Sequence, residues 1–306
     1  PDYNYVLFSI FISCIVAFLL FLPDLMRRSS FVIDRKLWPK LMIYSLPLMI
    51  AGLPGILNDF SDRILFRFLI PEDVSWRAQM GIYQAGIKLA VLINLCIQMF
   101  RYAAEPFFFG QSASKDAPQT YARVLDYFTA FCMLVYLGIL LYIDLFVLIL
   151  GENYREGIVV VPVMALAYVF LGIYFNISIW FKLSGKTANA VLITTAGLGV
   201  TLLIDVLFMP RYGYMAAAWG HLASYLSMTV ICALMGRRQY PIPYNWLRIG
   251  FYLVAGTGLY AFSLLFAHLP LIPKLAINTG IMLIYLAAWA GVAGFYGKLR
   301  KLLLRQ

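Results

Sequence analysis

Nine long apolar stretches, joined by short polar connections, constrain this chain more than any other feature of its sequence. Each is about as long as a helix that crosses the roughly 30 Å hydrocarbon core of a bilayer. Because an open backbone finds no water there, only helices and closed barrels cross that core. The stretches lie near residues 4–22, 39–58, 80–104, 124–150, 157–181, 187–209, 214–235, 247–267 and 274–297. The sequence therefore predicts an all-α polytopic membrane protein with about nine transmembrane helices.

Composition agrees with this class. Hydrophobic residues make up 63% of the 306 residues and charged residues 12%, whereas soluble domains carry about 25% charged residues. Aromatic residues reach 16%, as expected where Tyr and Trp lie at both membrane interfaces. The four cysteines lie singly in apolar stretches without metal-ligand spacing. We therefore predict neither a metal site nor a cofactor.

The basic residues predict the orientation of the chain in the membrane. The connections alternate in charge, and those on one side hold sixteen of the 24 Lys and Arg residues, whereas those on the other side hold six. Cytoplasmic loops carry the excess of basic residues. The N-terminus is therefore predicted to lie outside and the C-terminus in the cytoplasm. The net charge of +10 is explained by this topology, so nucleic acid is not expected as a partner.

Two of the basic connections look like joints between helix bundles. Residues 24–40 are charged and contain Pro39, and residues 236–246 combine Gly, two Pro and an Arg pair. Both compositions are typical of linkers. We therefore predict a division into residues 1–38, 39–238 and 239–306, in which the middle part is a six-helix bundle.

One apolar stretch, residues 80–109, carries a polar face. Its polar residues fall within an arc of about 140° of an ideal helix. Ionisable groups at bilayer depth usually face a protein interior or a water-filled cavity, so this face predicts the wall of a polar pathway. The polar residues are Gln84, Lys88, Asn94, Gln98, Arg101, Tyr102 and Glu105. Lys and Arg both bind phosphate, but Arg101 has an alternative in which it reaches the cytoplasmic interface and pairs with Glu105.

The second apolar stretch ends in a group of polar residues. Asn58, Asp59, Asp62 and Arg63 fall within one and a half turns, which suggests an extracellular gate or a cation site. The alternative is an interfacial helix end whose charges pair with one another. Three further ionisable residues are expected to have structural roles. Asp144 and Asp205 are expected to be solvated helix caps, and His221 a packing residue.

Several ordered segments resemble a known family. They read SDRILFRFLIPEDV, GIYQAGIKLAVLINLCIQMFRYAAEPFFF, GENYREGIVVVPVMALAYVF and PRYGYMAAAWGHLASY. They resemble the bacterial polysaccharide-biosynthesis flippases, the O-antigen flippase-like branch of the multidrug/oligosaccharidyl-lipid/polysaccharide exporter superfamily. Members have two six-helix lobes. The resemblance implies that residues 1–38 are the last helix of the first lobe and a cytoplasmic linker, 39–238 the second lobe, and 239–306 two additional helices with a basic tail. The preceding helices would then be missing from this chain.

The resemblance implies a transporter of the bacterial cytoplasmic (inner) membrane. It would flip polyprenyl-diphosphate-linked oligosaccharide, as used for lipopolysaccharide O-antigen, from the inner to the outer leaflet by alternating access. Lys88 and Arg101 would contact the diphosphate or acidic sugars, and Gln84, Asn94 and Gln98 would bind sugar hydroxyls. Gating or coupling would fall to Asp59, Asp62, Arg63 and Glu105. Expected partners are the lipid-linked oligosaccharide, membrane lipids, and a polysaccharide polymerase or glycosyltransferases.

Three alternatives remain open at this stage. A cation-coupled multidrug exporter of the same superfamily needs acidic residues deep in its cavity. A membrane-embedded polyprenyl-lipid transferase predicts an acidic or histidine cluster at the cytoplasmic face, where the loops are short and basic. A purely structural subunit has no use for Lys88 at bilayer depth. The sequence favours a transporter over an enzyme.

Overall fold

A computed structural model describes residues 3–28, 34–71, 74–148 and 150–303 of the chain. The chain forms two compact units, residues 1–47 and residues 48–306. The α-helices of the described ranges are α1 (Tyr3–Arg28), α2 (Leu37–Leu69), α3 (Trp76–Gln111), α4 (Ala117–Leu141), α5 (Ile143–Val147), α6 (Val161–Ile177), α7 (Ile179–Leu183), α8 (Ala188–Tyr212), α9 (Tyr214–Gln239), α10 (Trp246–Ser263) and α11 (Leu271–Leu303). Two 3₁₀ helices, Glu152–Val160 and Leu264–Phe266, complete the regular structure of these ranges.

Eight helical segments of the described ranges are long and apolar enough to cross a membrane. They coincide with eight of the nine predicted stretches, so the prediction of an all-α polytopic membrane protein is confirmed. One of the eight, Glu152–Leu183, joins a 3₁₀ helix to α6 and α7. The stretch near residues 39–58 lies on α2, where several side chains fall outside the described residues.

One predicted stretch, residues 124–150, is interrupted. The helix α4 ends at Leu141, and the short helix α5 begins at Ile143. Asp144 on α5 forms an ion pair of 2.5 Å with Lys274 at the start of α11. Asp144 lies in the first turn of α5 with a side chain that is 35% exposed, as expected of a solvated cap, and a basic partner from a distant helix also holds its carboxylate.

The core of the second unit lies around α4 and α6. The helix α6 packs against α3, α4 and α9, while α8 packs on α9, and α10 and α11 pack on α4. Buried tyrosines in this core satisfy their hydroxyls with backbone carbonyls, as buried polar groups must. Tyr121 donates to the carbonyl of Phe108 at 2.8 Å, and Tyr285 donates to that of Ala130 at 3.0 Å.

Large apolar side chains also cover much of the outer surface of the second unit. Leu247 is 80% exposed, Ile272 82% and Val254 71%. Contiguous apolar surface of this kind marks contact with membrane or protein. On helices long and apolar enough to span a bilayer, such surface is suited to contact with lipid or with other helices.

A tight turn fixes α8 and α9 against α3. Gly213 joins the two helices with φ of 54°, a conformation that favours glycine. A Cβ on Gly213 would lie 2.6 Å from Oε1 of Gln79, and the same oxygen accepts a hydrogen bond from the backbone N–H of Tyr214 at 3.3 Å. This contact brings one end of the α8–α9 hairpin to the start of α3.

Candidate functional site

A group of buried polar side chains lies where α2, α3, α8 and α9 meet, within the second compact unit. We call it the buried polar cluster. All of its members except Asp59 are at most 3% exposed. Polar groups at such depth in an apolar bundle are costly and mark functional sites more often than structural ones. The members are Asn58, Asp59 and Asp62 on α2, Tyr83 on α3, Thr201 and Asp205 on α8, and His221, Ser224 and Tyr225 on α9.

Asn58 connects α2 to α8 and α9. Its Oδ1 accepts a hydrogen bond from Oγ1 of Thr201 at 2.6 Å, and Oγ of Ser224 lies 3.2 Å from the same oxygen. Ser224 Oγ also lies 2.8 Å from the carbonyl oxygen of Gly197. Because a serine hydroxyl has one proton, Ser224 donates to one of these two acceptors at a time. The contact between the helices can therefore switch partners with little movement.

A second contact joins α2 to α9 through Asp59. The hydroxyl of Tyr225 donates to Oδ1 of Asp59 at 2.6 Å, the length of a charge-assisted O–H···O⁻ bond. The Tyr225 ring stacks on Tyr168 with centroids 6.5 Å apart and meets the His221 ring edge-on at 5.7 Å. Packing of this kind holds the Tyr225 hydroxyl in a fixed position, so Asp59 is oriented although it is exposed.

Asp205 is the most isolated charged group of the cluster. Its side chain is fully buried, and neither carboxylate oxygen has a hydrogen-bond partner among the residues that the structure describes. Asp62 and His221 lie near enough to act on it electrostatically. Burial of an unpaired carboxylate is strongly unfavourable, so such a group binds a proton or a cation, or pairs with a neighbouring positive charge.

Tyr83 lies between Asp62 and His221. Its hydroxyl lies 3.5 Å from Nδ1 of His221, and Asp62 lies near enough to act on it electrostatically. The same Nδ1 lies 3.1 Å from the carbonyl oxygen of Ala217. A proton on Nδ1 satisfies that carbonyl. Tyr83 and His221 therefore place two hydrogen-bonding side chains next to each other in the buried polar cluster.

The family comparison bears on part of this site. Residues 2–111 match the family model described as Polysaccharide biosynthesis protein. The predicted family resemblance is confirmed over these residues. No curated protein and no solved structure matches the chain.

The polysaccharide biosynthesis match covers only one side of the buried polar cluster. It includes the cluster members on α2 and α3, while those on α8 and α9 lie beyond it. It also includes the predicted polar face of α3 in full. The matched segment carries all of the candidate binding and gating residues predicted from the sequence.

The predicted polar face of α3 divides into an open part and a packed part. Lys88 is exposed, and it makes no ion pair within 4.0 Å among the residues that the structure describes. Gln84, Asn94 and Gln98 are half-buried. Nε2 of Gln84 and Oδ1 of Asn94 are buried without hydrogen-bond partners in the described part of the chain, so both amides have unused capacity for hydrogen bonds there.

Arg101 and Glu105 belong to the packed part. Nε of Arg101 lies 3.7 Å from Oε1 of Glu105, and Nζ of Lys182 on α7 lies 2.5 Å from the same oxygen. The Arg101 guanidinium also lies over the Phe175 ring at 4.7 Å. The pairing of Arg101 with Glu105, left open by the sequence, is thus present. Arg101 is held at a contact between helices, apart from Lys88.

The contacts of Arg63 do not fit the alternative prediction, in which the charges at the end of α2 pair with one another. Its guanidinium lies over the ring of Phe60 at 4.5 Å, and its Nε is buried without a hydrogen-bond partner from the described ranges. Within the described part of the chain, Arg63 makes no ion pair with Asp59, whose carboxylate accepts from Tyr225 instead.

The position of Asp205 in the structure contradicts the prediction made for it. It was expected to be a solvated helix cap, but it is 0% exposed and lies two turns before the end of α8 at Tyr212. A single acidic residue in the apolar run LLIDVLF was the available signal, because an ionisable group in such a run is unusual. His221 is buried, as a packing residue would be, and it also joins the cluster. No group of His, Cys, Asp and Glu suited to a metal ion occurs among the described residues.

Proposed function

We propose that this protein flips polyprenyl-diphosphate-linked oligosaccharide from the inner to the outer leaflet of a bacterial cytoplasmic membrane, by alternating access. The observation that carries the proposal is the match of residues 2–111 to a family of polysaccharide biosynthesis proteins. Eight segments suited to membrane spans support it, since a lipid-linked sugar must cross a bilayer to be used at the cell surface. The positive-inside rule supports an outer N-terminus and a cytoplasmic C-terminus.

Substrate contact is assigned to the open part of the α3 polar face. Lys88 is the exposed cation on this face and is available to a diphosphate as a point charge. Gln84 and Asn94 each have a buried amide atom without a partner, and Gln98 lies half-buried on the same side of the helix. These amides suit sugar hydroxyls. Arg101 acts on the substrate only if its contacts with Glu105 and Phe175 break during the cycle.

Coupling is assigned to the buried polar cluster. Asp205 and Asp62 are buried, and a proton or a monovalent cation bound at Asp205 would change the net charge of the cluster by one unit. Charge at this depth alters the stability of the packing between α2 and the α8–α9 hairpin. One ion bound or released could therefore shift the balance between two arrangements of these helices. Asp59 and Arg63, at the edge of the cluster, would act as the gate that admits the ion.

Lipid analysis of the native host tests the proposal. Deletion of the gene should cause a diphosphate-linked oligosaccharide to accumulate on the inner leaflet, and the wild-type gene should clear it. Lys88→Gln should fail to clear it, whereas Lys115→Gln, on an exposed connection, should behave as wild type. Accumulation in none of the strains would contradict the proposed transport of lipid-linked sugar.

The buried carboxylates favour a second candidate, a cation-coupled exporter of small molecules. Such a protein needs acidic groups deep in the bundle, and Asp62 and Asp205 supply them. Deletion would then sensitise cells to cationic drugs without accumulation of lipid-linked sugar. The same strains therefore distinguish the two functions, since each predicts a different phenotype.

A further inference from the structure

A cleft where α3 meets α6 and α7 holds two cations that share one carboxylate. Nζ of Lys182 on α7 lies 2.5 Å from Oε1 of Glu105 on α3, and Nε of Arg101 lies 3.7 Å from the same oxygen. All three side chains line the cleft. Within the described ranges, no second carboxylate pairs with either cation. Two positive charges therefore face one negative charge, and one positive charge is left uncompensated.

The charged side chains of the cleft are accessible from the surface. The exposed fractions are 33% for Arg101, 38% for Glu105 and 28% for Lys182. A guanidinium carries five N–H donors and an ammonium three. Arg101 makes no hydrogen bond to any residue that the structure describes, and Lys182 makes one to such a residue, Glu105. Most of these donors are therefore unused by the described residues and within reach of a ligand.

The cleft has no room for a second anion beside Glu105. Its volume is ≈ 10 Å³, about what one water molecule needs. A larger anion must therefore take the place of the carboxylate. Ion pairs that water reaches contribute little to stability, and a partly exposed Glu105 side chain turns outward by changing rotamers. Exchange of this carboxylate for another anion therefore costs little free energy and needs no movement of α3.

The cleft lies near the side of the membrane from which a substrate of the proposed function would enter. Lys182 belongs to the basic connections that the positive-inside rule places in the cytoplasm. Lys88 precedes Arg101 on α3 by thirteen residues, which is about 20 Å along the helix axis. Because the same rule makes α3 run inward from the outside, Lys88 lies closer to the outer leaflet. The helix thus carries two cationic positions at different depths.

We propose that a diphosphate binds between Arg101 and Lys182 in place of the Glu105 carboxylate. A diphosphate carries more than one negative charge and compensates both cations, and the guanidinium grips a phosphate with two parallel hydrogen bonds. Glu105 is then an internal counter-ion that keeps the site closed until the ligand arrives. Under the proposed function, on which this assignment rests, the ligand is the diphosphate of the lipid-linked oligosaccharide. The cleft holds it at the inner leaflet before Lys88 does.

Isothermal titration calorimetry of the purified full chain in detergent tests this site, with farnesyl diphosphate as the probe. Lys182→Gln should weaken binding about tenfold, since a charge-assisted contact is lost. Glu105→Gln should tighten binding severalfold, because the competing carboxylate is removed. Lys186→Gln is the matched control, since it removes the same charge from an exposed position that does not line the cleft. Titration with farnesol, which lacks the phosphates, gives the contribution of the detergent micelle.

The two substitutions in the ion pair separate exchange from a purely structural contact. Weaker binding by Glu105→Gln would overturn the proposal, because the carboxylate would then support the site instead of competing for it. Equal affinities of Lys182→Gln and Lys186→Gln would overturn it as well. Thermal melting identifies any variant that does not fold, and Lys182→Arg, which keeps the charge, should bind as wild type does. Inorganic diphosphate that binds as tightly as farnesyl diphosphate would contradict a lipid-linked ligand.

Failure of this site and failure of the proposed function give different results. If deletion of the gene causes lipid-linked oligosaccharide to accumulate but Lys182→Gln binds farnesyl diphosphate as wild type does, only the assignment to the cleft is wrong. If the variants bind as expected but deletion causes no accumulation, the cleft binds diphosphate and the proposed transport is wrong.

Discussion

Asp205 on α8 lies directly against Gly220 on α9: a Cβ on Gly220 would be 2.9 Å from Oδ1 of Asp205. The missing side chain creates the space that the buried carboxylate occupies. No hydrogen bond from a described residue compensates either oxygen of Asp205, and Asp62 and His221 act on it electrostatically. The contact between these two helices is therefore sensitive to the charge and the size of what lies between them.

Gly220→Ala should disturb this contact. The added methyl group must displace the Asp205 carboxylate, and overpacking of a buried site typically costs about 1–3 kcal/mol. We expect a loss of that size in the free energy of unfolding, measured by denaturant titration in detergent, and a loss of transport. Gly199→Ala on α8 is the control, because a Cβ there meets nothing within 4 Å. Equal effects of the two substitutions would contradict the close contact.

Tyr225→Phe removes one hydroxyl and leaves the packed ring in place. The hydrogen bond to Asp59 is lost, and hydrogen bonds to charged groups contribute about 1.5–3 kcal/mol. Because Asp59 is exposed and water can replace the donor, the free energy of unfolding should fall by about 1.5 kcal/mol or less. The transport rate should fall further than this loss of stability explains, because Asp59 loses its fixed orientation. Tyr127→Phe, at a tyrosine that is 55% exposed on α4, should change neither quantity.

Lys88 and Arg101 should differ in what they support. Lys88→Gln should lower transport with little change in the melting temperature, because the side chain is exposed and unpaired among the described residues. Arg101→Gln should lower the free energy of unfolding by about 1 kcal/mol, since a cation–π contact and an ion pair are lost. Parallel thermal-shift and lipid-accumulation measurements compare the two. Equal changes in melting temperature and in lipid accumulation for the two variants would contradict the division of the α3 polar face into an open part and a packed part.

Much of the fold was predictable because each span is a local property of the sequence. Length and hydropathy predict the helices, and the polar residues of α3 and of the end of α2 were visible as interruptions of apolar stretches. The break between α4 and α5 was not predicted, because apolar residues continue through Tyr142 and the helix ends without a Pro or Gly signal.

The sequence could not predict which residues form the buried polar cluster. Asn58 meets Thr201 across 143 residues, and Asp59 meets Tyr225 across 166. Helical spacing indicates which residues share a face of one helix, but not which helix packs against that face. Asp205 therefore looked like a cap near a helix end, although the packing of α8 on α9 buries it completely.

Asp205→Asn tests the coupling role most narrowly. The amide has nearly the shape of the carboxylate but cannot exchange a proton or hold a cation by charge. Because an uncompensated buried charge is removed, the free energy of unfolding should stay within about 1 kcal/mol of wild type. Asp116→Asn is the matched control. Asp116 is the N-cap residue of α4, and its side chain makes no cap hydrogen bond.

The most direct measurement is the amount of lipid-linked oligosaccharide on the inner leaflet of a deletion strain that expresses wild type, Asp205→Asn or Asp116→Asn at equal levels. The coupling account predicts that wild type and Asp116→Asn clear the lipid, while Asp205→Asn leaves it accumulated. Clearance by Asp205→Asn at the wild-type rate would contradict the assignment of coupling to the buried polar cluster.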